Sequence, residues 1–143
     1  MADYEWTFND GGRAAAGYHG STRDCVTRAV AIASGLPYKE VYKALAEVNK
    51  AAKGKKSARN GIHTTSRLFK DYMSSIGFKW VSTMGIGTGC KVHLKADELP
   101  SGKIIVKVTR HFTAVIDGII NDTYDCSRNG TRCVYGYWRK QNV

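Results

Sequence analysis

The stretch RHFTAVIDGIINDTY, residues 110–124, decides the architecture. Asp117-Gly118 is a strong two-residue hairpin turn, since the tight turn that suits twisted strands needs positive φ at both central positions. Arg110 to Ile116 then reads as one strand and Ile119 to Tyr124 as its return. Counting outward from the turn sets Ile116 opposite Ile119, Val115 opposite Ile120, Ala114 opposite Asn121 and Thr113 opposite Asp122, so that His111 faces Tyr124. By the two-residue period of a strand, His111 and Thr113 share a face with Asp122 and Tyr124. Asp122 is then the diagonal neighbour of His111, roughly 7–8 Å away between backbones, within reach of its side chain. Asn121 points to the opposite face.

Around this hairpin, Lys103 to Val108, Val134 to Trp138 and Phe78 to Val81 read as further strands, and Tyr4 to Phe8 as a short one ending in the turn Asn9-Asp10-Gly11-Gly12. Three helices come before most of them. CVTRAVAIAS, residues 25–34, places Val26, Ala29, Val30 and Ala33 on one face, with Asp24 as N-cap and Gly35 as stop. Pro37 suits the first turn of a second helix carrying Val41, Leu45 and Val48. Thr65 suits the cap of a third, with Leu68, Phe69, Tyr72, Met73 and Ile76 ending at Gly77. Helices followed by a mainly antiparallel sheet make an α+β chain, and 143 residues suit one domain, 1–143.

With 43% hydrophobic and 10% aromatic residues the chain can bury a core, which excludes general disorder. No run approaches the roughly 20 apolar residues of a membrane-spanning helix, so no membrane partner is expected. The N-terminus lacks the basic and apolar regions of a secretory signal, so Cys25, Cys90, Cys126 and Cys133 are expected to be reduced in the cytoplasm. The formal charge of +10 would attract an acidic partner or nucleic acid. Much of it sits in KAAKGKKSAR, residues 50–59, which reads as a solvated basic loop. The glycine-rich segment 85–89 lacks the spacing of a phosphate-binding loop.

Cys25 opens a helix, where the dipole and free N–H groups favour thiolate over thiol, making it the candidate nucleophile. Its own N–H can donate to an oxyanion, with a second donor from the Gly20-Ser21-Thr22 loop. Without a partner such a cysteine would be a small buried hydrophobe. His111 supplies the base, and Asp122 orients it and steadies the imidazolium. His19, His63 and His93 read as loop or surface residues, with His63 the reserve base. Cys126 and Cys133 lack the short spacing of a zinc site, so neither metal nor cofactor is expected.

Asp24-Cys25 opening a buried helix, then a histidine strand and an acid on the next strand, resembles the papain-like cysteine peptidase superfamily. The Asp-Cys start is similar to the bacterial cell-wall endopeptidases, and DCVTRAVAIASGLPYKEVYKAL, residues 24–45, resembles small bacterial and phage proteins of that group. The resemblance spans roughly residues 17 to 138. It implies a papain-like fold with the cysteine helix packed on the histidine-bearing sheet. Papain-type enzymes place an oxyanion glutamine upstream of the cysteine, whereas the one glutamine here is Gln141. A backbone donor, Ser21, Thr22 or the neighbouring Asn121 must take that part. Val26 stands where the cell-wall branch has serine or glycine.

These residues lead to a thiol hydrolase of peptide or isopeptide bonds, acting on a protein or peptide substrate through an acyl-enzyme. A deamidase or transglutaminase would use the same triad. A different class, a basic nucleic-acid-binding protein, would use the 50–59 loop with Trp80, Tyr135, Tyr137 and Trp138, although those aromatics fall more readily into a sheet core or face.

Overall fold

A computed structural model of the chain describes residues 5–17, 24–53, 67–84, 87 and 89–140. The elements run β1 (Glu5–Phe8), α1 (Cys25–Ser34), α2 (Tyr38–Lys53), α3 (Arg67–Ser75), β2 (Phe78–Ser82), β3 (Lys103–Val108), β4 (His111–Ile116), β5 (Ile119–Asp122) and β6 (Gly136–Lys140). The six strands form one mixed sheet in the order β1-β5-β4-β3-β6-β2. Only the β1–β5 pairing is parallel, so the α+β class holds. β1 precedes the helices yet joins the far edge, so the sheet is not wholly C-terminal.

The hairpin register is the expected one, with Ala114 opposite Asn121, Val115 opposite Ile120 and Ile116 opposite Ile119. Asp117 and Gly118 both take positive φ, 49° and 84°, as the tight turn requires. Strand alternation divides the core in two. Ile105, Phe112, Ala114 and Trp138 meet the helices through Val30, Leu45, Phe69 and Met73. Ile104, Val106, Val108, Val115 and Ile120 pack instead with Leu94, Cys126 and Val134. Phe69 stands edge-on to Trp138 at 6.0 Å. Truncating so buried a ring to alanine costs about 3–5 kcal/mol. Trp80 lies over Gly136, where an added Cβ would come within 2.3 Å of the indole. Trp138 is thus a core residue, and Trp80, at 37% exposure, is half committed to the same stack.

Several boundaries differ from the sequence reading. Lys50 to Lys53 continue α2 rather than opening a loop, because Lys-Ala-Ala-Lys are good helix formers and the first glycine is Gly54. Residues 54–59, like Thr65, lie outside the described residues. Pro37 sits just before α2, its carbonyl accepting the Val41 N–H at 3.1 Å. β5 stops at Asp122 instead of Tyr124, and β6 starts at Gly136 instead of Val134.

The largest correction concerns the cysteines. Cys90 and Cys133 form a disulfide, with Cα atoms 5.8 Å apart, where reduced thiols were expected. A β-bridge between His93 and Cys133 brings the two segments together, so that Cys90 meets Cys133 across a sequence separation of 43, a closeness no sequence spacing reveals. Cys25 and Cys126 are free. Among the described residues no helix is long and apolar enough to cross a membrane.

Candidate active site

The site forms where the β4–β5 ladder runs out. In a two-residue hairpin the residues flanking the turn exchange hydrogen bonds, so Ile116, Ala114 and Phe112 all aim their N–H groups toward β5. The ladder's last pair is Ala114 with Asn121. The Phe112 N–H is therefore left over, and it helps to hold down the pKa of Cys25 instead. Cys25, half-buried, is the first residue of α1, which packs mainly against β4.

His111 and Asp122 meet as the register requires, with Nε2 to Oδ2 at 2.7 Å. Both are buried, at 8% and 3% exposure. The Thr123 N–H donates to Asp122 Oδ1 at 2.7 Å, and the Tyr124 ring lies 5.4 Å from the imidazole. Cys25 hydrogen-bonds with the His111 ring. Since Nε2 is committed to Asp122, Nδ1 is the nitrogen free to exchange a proton with the thiol.

Charges follow this geometry. Burial pushes the Cys25 thiol up, but the hydrogen bond and charge of His111, the Phe112 N–H and the Arg28 charge together hold it below the ordinary thiol value. Burial opposes protonation of His111, yet hydrogen bonds with Asp122, Cys126 and Cys25 raise its pKa to about 12. Burial works against the Asp122 carboxylate, and His111 holds its pKa below the ordinary value all the same. All three shifts favour the same charged form, thiolate beside imidazolium beside carboxylate.

The sequence reading missed a second ring of groups. Asp24 occupies the N-cap position of α1, but its carboxylate caps nothing. It bonds the Arg28 Nη1, accepts the Tyr38 hydroxyl at 2.7 Å and pairs with Arg13 at 3.4 Å. Arg28 extends Nη2 to Asp122 Oδ1 at 3.4 Å. The missed signal was the helical spacing of Asp24, Cys25 and Arg28, which puts all three on one side of the first turn. Cys126 was missed as well: it is 1% exposed, and its Sγ–H donates to Asp122 Oδ2 at 3.6 Å.

Of the remaining candidates, Ser21, Thr22, His19 and His63 lie outside the described residues. Asn121 is turned away from the triad, donating to the Ile119 carbonyl at 3.0 Å and accepting from Asn9 at 3.2 Å. His93 pairs with Glu98 at 3.2 Å. His111, Asp122 and Cys126 bring three metal-ligand atoms within 4.8 Å of one another. These donor types suit zinc, but a metal would have to displace the proton held between Nε2 and Oδ2. Set against known protein families, curated proteins and solved structures, the chain matches none.

Proposed function

We propose that the protein is a papain-like thiol hydrolase that cleaves an amide bond in a protein or peptide. The observation carrying this reading is a cysteine at a helix start, hydrogen-bonded to a buried histidine that an aspartate holds at 2.7 Å. The Cys25 thiolate attacks the carbonyl carbon, and the electron pair moves to oxygen. Collapse breaks the C–N bond, and the leaving amine takes the proton from His111 Nδ1. The neutral imidazole then deprotonates a water, which attacks the thioester and releases the acid with the thiol. The Cys25 N–H, unpaired in the first turn, is the oxyanion donor of this scheme, with Ser21 or Thr22 as the second. A deamidase or transglutaminase differs only in which nitrogen leaves and what accepts the acyl group.

The test is site-resolved alkylation by iodoacetamide at pH 6, followed by mass spectrometry. Selective, fast labelling of Cys25 is expected, because its thiolate persists below the ordinary thiol pKa. Slow labelling, equal to that of a free thiol in an unfolded peptide, would sink the hydrolase reading. Salt-dependent capture of nucleic acid by the same protein would then favour a binding role.

A further inference from the structure

We propose that Arg28 is a positioning residue of this site: anchored on Asp24, its guanidinium holds Asp122 by Oδ1 and so leaves Oδ2 for His111 Nε2. The inference rests on the hydrolase reading and adds to it a group from the helix that also bears the nucleophile.

The geometry is specific. Arg28 lies one turn beyond Cys25 on α1, its side chain 12% exposed, between two carboxylates exposed by 1% and 3%. Among the described residues only its terminal nitrogens find partners, Nε being buried without one. Nη1 meets Asp24 Oδ1 and Nη2 meets Asp122 Oδ1. The Thr123 N–H joins Nη2 at Oδ1, while Oδ2 takes His111 and Cys126. The two carboxylate oxygens are thereby assigned different work. Asp24 is fixed in turn by the Tyr38 hydroxyl of α2 and by Arg13 of the segment after β1. Three elements thus set the orientation of a guanidinium, which sets that of the carboxylate behind the imidazole.

A planar fork can span two carboxylates, whereas an ammonium is a point charge. The cation also favours the nearby thiolate. Its loss should raise the pH midpoint of Cys25 alkylation and, below that midpoint, slow the reaction about three- to tenfold. A residue that only braces the fold would lower the melting temperature and leave the midpoint where it was.

The experiment measures iodoacetamide labelling of Cys25 against pH in the full chain, for Arg28→Met, Arg28→Lys and His111→Ala, with circular dichroism to establish folding. A raised midpoint in Arg28→Met, and a smaller rise in Arg28→Lys, is the expected result. A folded Arg28→Met with the parent midpoint overturns the assignment. If the methionine variant does not fold, Arg28→Lys decides alone: a midpoint equal to the parent's overturns the proposal. His111→Ala separates the two levels. If its midpoint also matches the parent, the site reading fails; if it rises while both Arg28 variants stay put, only the role of Arg28 fails.

Discussion

Among the described residues two histidine–carboxylate pairs lie beside cysteines, and only one of them has the geometry the proposed reaction needs. His111 and Asp122 meet at 2.7 Å with 8% and 3% of their side chains exposed, against a free Cys25 at a helix start. His93 and Glu98 meet at 3.2 Å with 38% and 26% exposed, and the adjacent Cys133 is bound to Cys90. The His93 hydrogen bond, helped by Lys95, holds the Glu98 carboxyl below its ordinary value. Solvent screens that pair, and its neighbouring sulfur is spent in a covalent bond. The residue types are alike; burial, and a helix start aimed at the imidazole, make the difference.

The largest effect expected from this contrast falls on Cys25 itself. Cys25→Ala should abolish fast labelling at pH 6, while Cys126→Ala should leave it in place, because Cys126 is 1% exposed and has no helix start to favour its thiolate. Fast labelling that moved to Cys126 would reverse the roles of the two thiols.

Next in size is the base. His111→Ala should slow Cys25 alkylation at pH 6 on the order of 10²-fold, since the thiolate loses its counter-ion. His93→Ala should change nothing. The pair also carries a pH signature in stability. With a folded pKa raised from 6.5 to about 12, His111 contributes fully below pH 6.5, and its contribution declines as pH climbs toward 12. Asp122, held below 3.8, contributes above that value and loses its contribution as pH falls through its folded pKa. The melting-temperature gap between the parent and His111→Ala should therefore be widest between about pH 4 and 6.5. A gap that grew from pH 7 to 10 would mean His111 is buried neutral.

Asp122→Ala should lower turnover by less than the roughly 10⁴-fold seen when a serine triad loses its carboxylate function, because a thiolate already formed depends less on its orienter. Asn121→Ala should leave turnover alone and loosen the contact with Asn9. A larger turnover loss from Asn121→Ala, at equal stability, would show that the wrong face of β5 has been assigned to the site.

The hairpin made much of this legible. Asp117-Gly118 fixed a register, the register fixed a face, and the face brought His111 to Asp122, since each step follows from a strand's two-residue period. Helical spacing likewise placed Val30, Leu45, Phe69 and Met73 in the core. Three features were hidden for physical reasons. The Cys90–Cys133 bond and the parallel docking of β1 beside β5 depend on long-range closure, which leaves no local pattern. Asp24 looked like a cap because capping is the commonest use of an acid there, but Arg28 one turn further on, with Arg13 and Tyr38 from elsewhere in the fold, claimed its oxygens.

The smallest effect on the site should come from opening the disulfide, although its effect on the fold is large. Closing a loop across 43 residues removes enough chain entropy from the unfolded state to stabilise the protein by about 4 kcal/mol. The double variant Cys90→Ser, Cys133→Ser should therefore melt well below the parent. Its folded molecules should still alkylate Cys25 at the parent rate and with the parent midpoint. The bond fastens the segment carrying His93 and Glu98 to Cys133, whereas Cys25, His111, Asp122 and Arg28 are held by α1 and the β4–β5 hairpin. Measuring labelling below the variant's own melting temperature separates the two effects. A raised midpoint in fully folded variant would tie the two histidine–carboxylate pairs together through Cys126, which lies in the same core cluster as Leu94 and Val134, the residues flanking the bridge. An unchanged midpoint with lowered stability would leave the exposed pair as part of the scaffold and the buried one as the reactive centre.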